Sequence, residues 1–304
     1  MSAHPLRAVL IAEHPGGYGS GMELLERPET LVGGIDFGEG PRWHDGRLWF
    51  SDFYQHAVKA VSLDGSVEVV LETPGQPSGL GWLPNGDLLL VSMLDRRLLR
   101  YDGADLHEHA DLSGVATFHC NDMVVDARGR AYVGNFGSDL HAGVELVPAA
   151  LALVQPDGTV EAAAAHLRFP NGSVITPDQG TLIVGESFGG EFQAFDIGEA
   201  GRLSNRRVWA EVHGTAPDGC CYDAEDGIWF ADAIGCAALR VLEGGEITHR
   251  VETEQSCFAC MLGGEDGRTL FLVTAPDSHP DLVGGTGQGR IETVRVEVPG
   301  AGWP

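Results

Sequence analysis

The sequence predicts an all-β repeat fold, a propeller or a related array, and three observations carry that prediction. Six short turns, each with a glycine, run into apolar strands at Gly46, Gly86, Gly129, Gly180, Gly227 and Gly267, at intervals of 40, 43, 51, 47 and 40 residues. A second candidate strand and then a D-G or G-G turn follow, as in AVKAVSLDG, RRLLRYDG, LALVQPDG and ALRVLEGG. D-G between apolar runs signals a hairpin, because both central residues of a type I′ turn need positive φ. Convincing helical periodicity is nearly absent, and 43 glycines with 16 prolines suit many short strands joined by tight turns.

Taken in order, GRLWFSD (46–52), GDLLLVSM (86–93), GRAYVGNF (129–136), GTLIVGES (180–187), GIWFADA (227–233) and RTLFLVTA (268–275) are short apolar runs introduced by turn residues. They read as buried strands, each the innermost of its unit. The best helix candidate, 147–153, contains Pro148 and allows at most one turn. The run RIETVRVEV (290–298) alternates apolar and charged residues. It is expected to join N-terminal material and close the ring, which removes exposed sheet edges. Residues 135–150 lengthen the third unit and residues 13–34 precede the first; each reads as a lid or as a plain surface excursion. One domain over 1–304 is expected, with repeats from about 35 to 298 and residues 1–34 contributing to ring closure or to a lid.

Forty-four acidic against nineteen basic residues give a formal charge of −25. That balance repels phosphate backbones and anionic lipid head groups, so nucleic acid and membrane surfaces are not expected partners. No apolar stretch approaches the length of a spanning helix, and 8–12 is too short for a secretory signal. A cytoplasmic location is the expectation. Six cysteines fit a reducing compartment, and the lone C-x-x-C of Cys257 and Cys260 has no second pair at zinc-ribbon spacing.

Seven to nine residues upstream of four of the turn glycines sit Glu39, Asn121, Asn171 and Asp218. In a ring of blades, equivalent positions converge on one axis. Carboxylate, amide and carboxylate meeting there form an oxygen-rich site suited to a hard divalent cation, calcium first. Singly, Asn and Asp before Gly are also ordinary turn residues. The shared register across four units argues for more than turn duty. Phe53, Tyr54, Met93, Phe136, Phe188, Ile234 and Phe258 follow strand ends, either lining an apolar mouth or packing between blades.

EGPRW with GRLWFSD, CNDMVVDARGRAYVGNF, PNGSVITPDQGTLIVGES and PDGCCYDAEDGIWFAD resemble the successive signatures of the SMP-30/gluconolactonase/luciferin-regenerating family. The resemblance covers about 33–275. It implies a six-bladed β-propeller of four-stranded antiparallel blades around a central channel. It further implies one divalent metal held by Glu39, Asn171 and Asp218, with calcium, zinc, manganese or magnesium all encountered, and a small-molecule lactone or ester as substrate. Asn121 is similar to the family residue that contacts the metal site or substrate from the facing blade. By the same resemblance Asp218 also serves as general base in lactone hydrolysis, with Asp122, His119 and Glu186 as candidate helpers. Sugar-acid lactonases of the family often carry Arg where this chain has His119, so aldonolactone specificity does not carry over. His119 then acts as proton shuttle or hydrogen-bond donor, or packs against Phe118. His119 and Phe136 are the expected markers of the substrate pocket. Two other classes fit the same residues: a propeller that binds a ligand or protein without catalysis, and a non-hydrolytic isomerase using the same metal.

Overall fold

Short first strands rich in glycine and small side chains organise the whole architecture. In the computed structural model, which describes residues 21–139 and 142–302, six antiparallel blades of four strands are arranged in a ring, one of them extended by a short parallel edge strand. Blade one is built from Gly38–His44, Arg47–Asp52, Ala57–Val61 and Val67–Glu72, and blades two to five repeat the pattern over 77–111, 120–167, 170–211 and 217–252. Among the described residues helix is limited to one 3-10 turn, Glu199–Gly201, and one α-turn, Pro280–Val283. The protein is a six-bladed β-propeller.

The first strand of each blade touches the first strands of its two neighbours, from Gly38–His44 round to Ser256–Gly263 and back. These strands therefore line the axis. The runs that follow the turn glycines are second strands, one step out. That corrects the expectation that they are innermost. Close packing at the axis explains the glycines of the first strands. A Cβ at Gly79 would lie 2.5 Å from the Met123 nitrogen, and one at Gly172 would lie 2.8 Å from the Cys220 nitrogen. Such approaches forbid any larger residue.

Ring closure is made by the N-terminal side of the chain. Blade six comprises Ser256–Gly263, Thr269–Ala275 and Gly289–Arg295, and its fourth strand is Glu29–Ile35, antiparallel to Gly289–Arg295. Glu23–Leu24 adds a parallel edge to Ile247–Glu252 of blade five. Residues 21–35 thus run along outer blade edges, while 13–20 lie outside the described residues. The stretch 147–153 is not a helical turn. Ala149–Val154 is the third strand of blade three, paired on both sides, because Leu151 and Leu153 fill the seam with blade four while Ala152 and Val154 fill the seam with blade two.

Hydrophobic clusters fill the seams. Phe192, Phe230 and Trp209 pack between blades four and five, and Trp229, Phe271 and Leu48 between blades five, six and one. Each buried side chain of that size contributes on the order of 2–3 kcal/mol. Asp126 with Arg130 and Asp223 with Arg240 form buried ion pairs that pin the hairpin ahead of the second strand in blades three and five.

Candidate functional site

At one end of every innermost strand the ladder with the second strand slips, and at or beside the slip stand Glu39, Ser78, Asn121, Asn171, Asp218 and Phe258. A bulge bends the strand locally and re-aims a side chain, so six bulges present one ring of six side chains to the axis. Glu39, Asn121, Asn171 and Asp218 are all buried, at 4, 4, 2 and 7% exposure. They lie within the innermost strands, not before them as the sequence suggests.

Hydrogen bonds run round this ring. Ser78 Oγ donates to Asn121 Oδ1 at 3.4 Å, Asn121 Nδ2 donates to Asn171 Oδ1 at 2.8 Å, and Asn171 Nδ2 donates to Ser187 Oγ at 3.1 Å. Ser187 Oγ in turn donates to the Pro217 carbonyl at 2.6 Å. The relay fixes which atom of each amide faces which neighbour, and it leaves the second lone pair of Asn171 Oδ1 available. Ser78 escaped the sequence reading. It stands eight residues before Gly86, in register with the others, but is neither acid nor amide.

Two carboxylates complete the ring. Burial, then the charges of Asp218 and Asp122, push the Glu39 carboxyl well above the usual carboxylate range, against a hydrogen bond from the Gly40 N–H at 3.1 Å. Burial, then Asp122, push Asp218 the same way, opposed by the Asn171 amide and the Gly219 N–H. Asp218 Oδ1 is buried with no hydrogen-bond partner. A buried acceptor without a donor costs about 1–3 kcal/mol. Two crowded carboxylates, one of them with an orphaned oxygen, and an amide oxygen suit a divalent cation, whose charge would reverse both shifts. Among the described residues no group of three or more His, Cys, Asp or Glu is gathered for a metal; the set here is mixed, acid, amide and acid.

The remaining candidates fall into three places. Asp122 lies beside the ring, where Arg42 Nη2 donates to its Oδ1 at 3.0 Å. His119 and Phe136 belong to an aromatic arc at the same end of the propeller: His119 stacks on Phe118 at 3.9 Å and meets Phe136 at 6.1 Å, Phe136 meets Phe169 at 4.7 Å, and Phe169 meets Phe188 at 5.7 Å. Glu186 is not brought to the ring. Its carboxylate accepts from the Arg168 N–H and pairs with Arg206 at 2.8 Å, so it fastens the outer part of blade four.

Phe37, which the sequence reading passed over, meets Phe258 at 4.7 Å and Phe53 at 5.2 Å in a cluster with Met93, Tyr54 and Phe136. The end of the channel bearing the polar ring is therefore bordered by apolar side chains. Residues 136–139 begin here, with Phe136 N–H bonded to the His119 carbonyl and Thr117 Oγ bonded to the Gly137 carbonyl.

The SMP-30/Gluconolactonase/LRE-like region matches residues 37–276, which hold all six innermost strands and the whole polar ring. The chain belongs to this family. It is 26% identical over 279 residues to pentonolactonase XacC of Haloferax volcanii, spanning 88% of this chain and 92% of that one. Chicken regucalcin is 27% identical over 165 residues, a match to 52% of this chain and 54% of the regucalcin. Among solved structures, the calcium-binding protein regucalcin of Agrobacterium tumefaciens superposes with a TM-score of 0.78 at 21% identity, over 94% of this chain and 99% of that one. That likeness is one of fold.

Proposed function

We propose that the protein is a divalent-cation-dependent lactonase, and the observation that carries the reading is the buried Glu39, Asn171, Asp218 set around the orphaned Asp218 Oδ1. Membership of the family, together with 26% identity to a pentonolactonase, supports the reaction class. Glu39, Asn171 and Asp218 would hold the cation. Bound there, it would supply a Lewis acid to polarise the lactone carbonyl and offset the negative charge that attack by water creates on its oxygen.

Asn121, its oxygen bonded by Ser78 and one N–H by Asn171, turns its other amide hydrogen to a substrate oxygen. Asp218 accepts the proton of the attacking water as general base. The ring C–O bond then breaks, the leaving alkoxide takes that proton from Asp218, and a hydroxy acid leaves. His119 and Phe136 contact the lactone at the mouth, and the Phe118, Phe136, Phe169, Phe188 arc favours a substituent more apolar than a sugar.

The experiment is a panel of aldonolactones and alkyl- or aryl-substituted lactones assayed in water enriched in heavy oxygen, with and without chelator, for the wild type and Asp218→Ala. The reading expects label in the acid product, faster turnover of the apolar members, and loss of turnover in chelator and in the variant. Product without label would point to isomerisation, and no turnover with any cation would point to a binding module.

A further inference from the structure

Next along from the ring residues, five blades carry Gly40, Gly79, Gly172, Gly219 and Ala259; blade three alone carries a charged residue there, Asp122. Its carboxylate is 2% exposed and its field reaches both Glu39 and Asp218. Asp122 therefore adds a third negative charge close to the two ring carboxylates. With all three free, the channel would offer a denser anionic cage than the acid, amide, acid set.

One oxygen of Asp122 is already claimed. Oδ1 accepts from Arg42 Nη2 at 3.0 Å and from the Met123 N–H at 2.8 Å. Arg42 comes from blade one, 80 residues away in sequence, and its guanidinium is itself 2% exposed. Nη2 also bonds the Met123 carbonyl and Nη1 the Pro41 carbonyl at 2.8 Å, so backbone holds the fork in place from both sides. Asp122 Oδ2 is buried with no hydrogen-bond partner. A guanidinium cannot give up its proton in a protein and has no acceptor atom, so it is a permanent cation fixed across the channel.

We propose that Arg42 is a built-in counter-cation that withdraws Asp122 from the ring's ligand set, holding the channel to one divalent cation and moderating its affinity. The inference rests on the cation site of the preceding section and adds a positioning role that the reaction itself does not require. Its physical basis is charge: oxygen sites tune affinity for hard cations by the number of ligand charges and the rigidity of the cage. Removing the guanidinium frees a third carboxylate and deletes a nearby positive charge, and both changes act in one direction.

The test is titration calorimetry of the chelator-stripped full chain with calcium and with manganese chloride, alongside a bound-metal count. The variants are Arg42→Met, Arg42→Lys, Asp122→Asn and the Arg42→Met/Asp122→Asn double, each checked for native near-UV dichroism. Arg42→Met is expected to bind at least ~10-fold tighter or to take up a second cation, and Asp122→Asn to bind ~10-fold more weakly because its guanidinium is left unpaired. The double should return to within about threefold of wild type, and Arg42→Lys, which keeps the charge, should stay near it. Folded Arg42→Met with unchanged affinity and stoichiometry overturns the proposal. If Arg42→Met does not fold, Asp122→Asn with wild-type affinity overturns it instead. A wild type that binds no divalent cation would sink the underlying site reading as well, a result distinct from wild-type binding that Glu39→Gln abolishes and Arg42→Met leaves unchanged.

Discussion

Asp232 gives a pH-dependent stability whose sign and size follow from its surroundings. It ends the second strand of blade five, 1% exposed, where Oδ1 accepts from the Ala216 N–H at 3.0 Å and the Ile234 N–H at 3.4 Å while Oδ2 has no partner. Burial raises its carboxyl from the ordinary 3.8 to about 6, the backbone donors pulling only part of the way back. The folded protein therefore holds this proton more tightly than the unfolded chain. Its contribution is fully present below pH ~4 and is lost as pH rises through about 6. At about 1.4 kcal/mol per tenfold change in proton affinity, the loss comes to about 3 kcal/mol.

Asp232→Asn keeps the Oδ1 acceptor and cannot ionise. Whatever the amide costs in pairing, it costs equally at every pH. The variant's stability relative to wild type should thus be about 2.5 kcal/mol more favourable at pH 7.5 than at pH 4, where the unfolded carboxyl has already begun to ionise. Urea unfolding in chelator at the two pH values measures this difference directly. An Asp232→Asn effect of equal size at both would refute the reasoning.

Three further outcomes follow from the geometry. Gly172→Ala places a Cβ 2.8 Å from the Cys220 nitrogen and nearer still to the Asp218 carbonyl, both backbone, so a loss of at least about 2 kcal/mol is expected, read as a lowered melting temperature. Deleting residues 1–35 strips Glu29–Ile35 from blade six and bares Gly289–Arg295, and light scattering should report association through that edge. Phe136→Ala should lower kcat/KM about 10-fold for aryl- or alkyl-substituted lactones and leave aldonolactones within about twofold, since it removes one apolar contact worth about 1–2 kcal/mol. Equal losses on both substrate groups would count against the apolar mouth.

What the chain disclosed in advance was mostly register. Glu39, Asn121, Asn171 and Asp218 stand at nearly constant distance from glycine turns, and a ring converts constant distance into convergence. Their placement on strands was harder to see, because PSG, PNG and PDG are also turn spellings. Here the glycines serve strand-to-strand approach at the axis, as Gly79 and Gly172 show, a demand set by neighbours some 40 to 50 residues away in sequence. Long separation also hid the ion pairs. Arg42 and Asp122 are 80 residues apart, and Glu186 and Arg206 are 20 apart, so neither pairing leaves a local trace. The second pair holds Glu186 away from the ring, and the first engages one oxygen of Asp122 beside it.

The central claim is that the ring at the axis holds one divalent cation and opens lactones with it. The most direct measurement strips the protein with chelator, restores manganese in steps, and follows lactone opening by pH-stat while counting bound metal. Activity should return in proportion to bound metal and saturate at one ion per chain, with Glu39→Gln binding none. Full lactone turnover by the metal-free protein would contradict the account.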